Sequence, residues 1–307
     1  MEVNQMENKT TIGHLFAFVT ILIWGTTFIS TKILLLDFQP IEILFFRFVM
    51  GLLVLVIAHP HPMKGTTKGQ EAIFALAGFC GVCMYYLLEN IALTYTQASN
   101  VGVIISIAPF FTLVLTHLLM KKEDKLQMNF FVGFMIAMIG ITMISFQGSK
   151  MQLNPLGDFL AVMAALLWAC YSVLIRKISS FGYPTIQTTK RVFTYGILFM
   201  LPVIFFFDFS WDVTRLANPV YLFNIIFLGV GASALCFVTW NYAVKILGAV
   251  KTSIYIYMVP VITIITSMIV LHEKITILAA IGTVLTLIGL VISESKLGHK
   301  RIKNSIY

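Results

Sequence analysis

The chain has 307 residues, of which 59% are hydrophobic and only 11% charged, with a formal net charge of +8. Soluble domains run nearer half apolar and about 25% charged, and a folded chain of this size cannot hide so much apolar side chain from water. The composition excludes a soluble enzyme, turns the basic excess from nucleic acid toward membrane-flanking loops, and predicts an all-α membrane protein.

Ten apolar runs, each near the roughly 20 residues that carry a helix across a bilayer, follow one another between polar or Pro/Gly breaks. They are 12–35, 41–58, 72–94, 98–120, 128–147, 156–175, 186–207, 219–244, 250–271 and 276–293. Residues 1–11 read as a polar tail, 148–155 as a linker and 294–307 as a basic tail. The first run is long enough to be a retained span and has no basic stretch before it, unlike a cleaved leader. An even number of spans puts both termini on one side. The alternate loops of that side hold most of the 21 basic residues, among them Lys64, Lys68, Lys121, Lys122, Lys125 and Lys296. The opposite loops hold Lys150, Arg215 and Lys274. That bias places both termini in the cytoplasm. Cys80, Cys83, Cys170 and Cys236 all fall inside apolar runs and are expected to pack there without disulfides.

The two halves repeat. Moving the chain by 144 residues lays Trp24 on Trp168, Lys32 on Arg176, Pro40 on Pro184 and Arg47 on Arg191. A shift of 151 lays Asn90 on Asn241, Ala98 on Ala249 and Pro109 on Pro260; Glu123 and Glu273 match at 150. Gly133 and Gly140 meet Gly282 and Gly289 at 149, and read as close helix packing between spans five and ten. Each repeat, 12–147 and 156–293, holds five predicted spans. An odd number turns the second repeat over, giving the 5+5 inverted topology from which secondary transporters are built around a midplane site.

Ten spans in such a repeat, with Trp24-Gly-Thr and Trp168-Ala-Cys in the first helix of each half, resemble the EamA-type branch of the drug/metabolite transporter superfamily. Ala92–Ala98, Ile107-Ala-Pro-Phe110, Ala243–Ala249 and Met258-Val-Pro260 add to the likeness, which covers residues 12 to 293. The resemblance implies export or exchange of small solutes through a cavity lined by the first, third and fourth helices of each half. Glu89 departs from symmetry, since its repeat partner is Trp240.

Glu89 lies in Tyr85-Tyr-Leu-Leu-Glu-Asn90, at a depth where a carboxylate is costly unless it faces a cavity or a partner. Tyr86 and Asn90 share its helix face. Two readings stand: contact with a substrate amine or carriage of a proton, and a structural ion pair with Arg47. Trp24, Trp168, Tyr171, Trp240, Asn241 and Tyr255 are candidate cavity-lining residues, able to stack on flat substrates or receive cations; helix packing is the plainer alternative. Tyr257 faces away from Tyr255. Pro109 and Pro260 are expected mid-helix, where a proline kinks the chain and suits a hinge. Lys190 and Arg191 are expected to reach the phosphate layer.

No phosphate-binding loop is present, so transport is expected to run on solute or proton gradients. No cofactor, metal or nucleic acid is expected; the partners are a small-molecule substrate, protons and lipid, in a bacterial plasma membrane. A nucleotide-sugar or phosphorylated-metabolite exchanger is the second transport reading, though it calls for several deep cations. An intramembrane enzyme would need a nucleophile or metal constellation of which no motif is visible.

Overall fold

The computed structural model describes residues 2–96, 98–120, 128–145, 154–271 and 277–294. Glu123, Glu273, the basic tail beyond 294 and most of the 148–155 linker lie outside them. All regular structure among the described residues is helical.

Helix α1 (Glu2–Leu34) begins ten residues before the expected span, so the polar stretch 2–11 extends the helix. Helix α2 (Pro40–Ala58) opens on a proline, whose missing N–H costs nothing at the first turn. A reciprocal capping box between Gln39 and Glu42 fixes this start. Helices α3 (Lys68–Gly78) and α4 (Tyr85–Tyr95) are joined by a π-helical stretch, Phe79–Met84. Helix α5 (Ala98–Ile105) gives way to α6 (Ala108–Leu119), and α7 spans Met128–Ser145.

The second half runs through α8 (Pro155–Ser179), capped by Asn154, and α9 (Thr185–Ile204). Helices α10 (Pro219–Ile226) and α11 (Cys236–Leu247) flank a second π-helical stretch, Phe227–Leu235. A short α12 (Ala249–Ser253), a 3-10 turn over Ile254–Met258, α13 (Val259–Leu271) and α14 (Ile277–Glu294) complete the chain.

Seven described stretches are long and apolar enough to cross a bilayer: Lys9–Leu34, Pro40–Ala58, Lys68–Tyr95, Val101–Leu119, Pro155–Ser179, Pro219–Leu247 and Ala249–Thr266. Met128–Met143 and Ala280–Ser293 are shorter apolar helices. Helix α9 has the length, but its face carries Lys190 and Arg191.

Pro109 and Pro260 are not mid-helix kinks. Each is the second residue of a new helix, after a turn at Ser106–Ile107 in one case and the 3-10 segment in the other. Proline is tolerated there because those N–H groups have no intrahelical acceptor. The span is interrupted at these prolines, where the sequence suggested a bend.

Helices of the first half pack chiefly on helices of the second: α1 on α11 and α13, α4 and α6 on α8, α3 on α9, and α2 on α9 and the Phe227–Leu235 stretch. Helices α7 and α14 make the most extensive pair. A methyl group on Gly140 would stand 2.5 Å from the Gly282 carbonyl oxygen, and one on Gly133 2.6 Å from that of Gly289. The expected glycine-mediated contact between these helices is therefore present. All four cysteines are free thiols.

Candidate functional site

The centre of the bundle is an aromatic cluster drawn from both halves. Trp24 of α1 meets Trp168 of α8 edge to face, ring centroids 5.0 Å apart, and Trp240 of α11 at 5.1 Å. Trp168 also packs on Tyr85 at 4.8 Å and Tyr171 at 5.0 Å. The Trp24 indole N–H donates to the Ala232 carbonyl at 2.8 Å. That carbonyl belongs to the second π-helical stretch, Phe227–Leu235. The indole nitrogens of Trp168 and Trp240 are buried without a hydrogen-bond partner. The Tyr171 ring packs closely on Gly81: a Cβ there would fall 2.1 Å from it.

Phe237 is the hub. Its ring lies within about 6 Å of Trp24, Phe48, Tyr86, Trp168, Tyr171 and Phe193. Sequence reasoning passed over it, although the 151-residue shift lays Tyr86 on it. Phe48, Phe193, Tyr85 and Ser233 were passed over as well. Phe48 follows Arg47 directly; the others carry no signal distinguishing them from ordinary apolar or small residues.

Arg47 and Glu89 sit in this cluster, 0% and 2% exposed. The guanidinium lies over the Tyr86 ring, 4.3 Å from its centroid, and its Nε donates to Ser233 Oγ at 3.1 Å. Nη1 and Nη2 have no hydrogen-bond partner. Arg47 and Glu89 form no ion pair with each other; the ion pairs among the described residues are Arg191–Glu71 and Arg215–Glu42. The structural pairing that the sequence left open is thus not made.

Asn90 and Asn241 cross-link helices. Asn90 Nδ2 donates to the Pro40 carbonyl at 3.1 Å; Asn241 Nδ2 donates to Thr189 Oγ1 at 3.0 Å and its Oδ1 accepts from the Tyr171 hydroxyl at 2.7 Å. Tyr255 is half-buried and shares a 2.6 Å hydrogen bond with His14 Nδ1. It packs against the same apolar core that holds the three tryptophans. Tyr257 is fully buried in a separate cluster with Val103, Leu113 and Phe130.

A clasp closes each end of α2. At its start, Arg215 grips Glu42 with both terminal nitrogens, at 3.0 and 3.1 Å, and donates to the Asp37 carbonyl at 2.6 Å. The Ser210 amide donates to the same carboxylate at 2.7 Å, and Phe45 packs on Phe209 and Trp211. Nearby, the Thr214 hydroxyl and amide hold the Asp212 carboxyl below the ordinary carboxylate range. At the other end, Arg191 pairs with Glu71 at 2.9 Å and the Tyr195 hydroxyl donates to Glu71 at 2.5 Å. Lys190 donates to the carbonyls of His59 and His61. Lys190 and Arg191 are therefore committed to protein partners, in place of the phosphate layer expected for them. In the first clasp the segment after α9 grips α2; in the second, side chains of α9 hold the segment after α2 and Glu71 of α3.

The EamA-like transporter family matches residues 11–146 and 155–294. An uncharacterized transporter of Archaeoglobus fulgidus is 28% identical over 95% of this chain and 99% of its own length. The uncharacterized transporter YyaM of Bacillus subtilis is 27% identical over 86% and 88%. A probable terminal-alkyne amino-acid exporter of Streptantibioticus cattleyicolor is 22% identical over 92% and 94%. One crystal structure superposes with a TM-score of 0.72 at 19% identity, over 93% of this chain and 98% of that one, and shares the fold. Taken with the apolar helices, these matches make the chain a multi-pass integral membrane protein that belongs to the EamA-like transporter family of the drug/metabolite transporter superfamily.

Proposed function

We propose that this transporter exports or exchanges small organic solutes, such as amino acids or amphipathic drugs, by alternating access around the aromatic core. The observation that carries this reading is the contact of Trp24 with Trp168 beside the buried side chains of Arg47 and Glu89, which form no ion pair with each other. Trp24, Tyr86, Trp168, Tyr171 and Trp240 would contact the solute, with Asn90 and Asn241 holding the helices that carry them. Indole and phenol faces suit flat, apolar or cationic bodies.

Ten spans in two inverted repeats, with both termini cytoplasmic, are the frame of this reading. Two separate family matches support it. So does the common order of elements, in which a π-helical stretch and a proline-marked break recur in each half. Repeat partners also do the same work. Lys32 Nζ donates to the Leu93 and Thr96 carbonyls at the end of α4, and Arg176 Nη1 to the Lys245 carbonyl near the end of α11. The breaks before Pro109 and Pro260 would act as hinges for the rocking halves.

Glu89 is the proposed proton carrier, with Arg47 as the charge that responds to it. Uptake of labelled amino acids into proteoliposomes, with and without a pH gradient, tests this. A gradient is expected to accelerate flux through the wild type and not through Glu89→Gln. Equal flux through both at every pH would remove Glu89 from coupling. Flux no greater than in protein-free vesicles, for amino acids and amphipathic drugs alike, would contradict the transport reading. The phosphorylated-metabolite alternative finds only Arg47 as a cation in the aromatic core.

A further inference from the structure

We propose that Arg47 is the docking point for a carboxylate carried by the solute, so that the site selects flat apolar bodies bearing that group. This rests on the aromatic core being the solute site. The guanidinium is a rigid fork of five N–H donors. Here one donor, Nε, is used by Ser233, while Nη1 and Nη2 are buried without an acceptor. A buried charge left without hydrogen bonds is costly, and native interiors rarely leave one so. Neither clasp relieves it, because Glu42 is held by Arg215 and Glu71 by Arg191.

A carboxylate supplies acceptors to both terminal nitrogens at once, in the parallel, two-bond geometry that arginine favours. A phosphate could meet the same fork, but its second charge would need a further cation. The other buried acidic or basic side chain of the cluster is an acid, Glu89. The fork belongs to the first half, whereas Ser233 and Phe237 belong to the second. A carboxylate docked on it would therefore touch the seam along which the halves must part.

Indole probes match the ring surfaces of Trp24, Trp168 and Trp240. The full-length protein in detergent is titrated with L-tryptophan, tryptophanamide, indole-3-propionate and inorganic phosphate, following its thermal shift. The wild type is expected to bind tryptophan and indole-3-propionate at least about tenfold tighter than tryptophanamide. Arg47→Gln is expected to erase that preference and Arg47→Lys to keep part of it, since an ammonium supplies charge without the fork. The ligand series on the wild type stands even if a variant fails to fold.

Equal binding of tryptophan and its amide, no binding of any indole, or a preference that survives Arg47→Gln would each overturn the docking role. Phosphate that displaces tryptophan from the wild type, and not from Arg47→Gln, would overturn the carboxylate assignment in favour of phosphate. Gradient-driven flux that does not distinguish tryptophan from its amide would leave the transport reading standing while removing this one.

Discussion

Trp24 and Trp168 hold equivalent places in the two halves of the sequence, and in the folded protein they touch each other edge to face at 5.0 Å. Residues related by a repeat meet only where the two halves face one another across their common seam. The pair therefore marks that seam, and the buried side chains of Arg47 and Glu89 lie in the cluster built around it.

The contact should be energetically coupled. In a double-mutant cycle with Trp24→Ala and Trp168→Ala, the coupling is expected at about 0.5–1.5 kcal/mol, the range for aromatic pairs. Denaturation of the four proteins in one detergent measures it. Additive losses would mean that the rings are neighbours without mutual support.

The clasp at the start of α2 should govern how readily that end opens. Glu42 is fully buried while Arg215 is partly exposed, so Arg215→Ala removes the counter-charge of a buried carboxylate. A loss of about 1.5–3 kcal/mol is expected, the range for hydrogen bonds to charged groups. Glu42→Gln with Arg215→Ala should recover part of it, because no buried charge is then left unpaired. Thermal unfolding of the single and double variants checks the order.

Acid should loosen the same segment. The folded-state pKa of Asp212 is depressed, so its contribution is present above the ordinary carboxylate range and fades as pH falls through the folded value. Asp212→Asn is expected to flatten the acid limb of stability between the ordinary and the depressed value. A limb unchanged by this substitution would mean that the Thr214 contacts contribute nothing measurable.

The α7–α14 contact gives a sharper packing test. Gly140→Ala forces a methyl group to within 2.5 Å of backbone, whereas at Gly102 no atom lies within 4 Å of the added carbon. The first substitution should destabilise by about 1–3 kcal/mol, as overpacking does. The second should be neutral or stabilising, because alanine favours a helix. Thermal shifts of the two variants make the comparison.

How much of this was legible in the sequence depended on the kind of signal. The apolar runs gave the helices to within a few residues in most cases. The 144- and 151-residue shifts brought forward Trp24, Trp168, Asn90 and Asn241, all of which are buried contacts between helices. Proline position misled: Pro109 and Pro260 were visible as helix breakers, but a kink and a fresh helix start leave the same residue in the same run. Glu42 was missed because its partner, Arg215, is distant in sequence, and nothing local announces a long-range clasp.

The central claim is that two halves of opposite sidedness enclose a shared site. Its most direct test uses single cysteines at Gly65 and at Asp212, in a background with Cys80, Cys83, Cys170 and Cys236 replaced, and a membrane-impermeant maleimide applied to intact cells. These positions flank the two clasps, at opposite ends of α2. The account predicts rapid labelling at residue 212 and none at residue 65 until the membrane is opened. Labelling of both from the same side would contradict it.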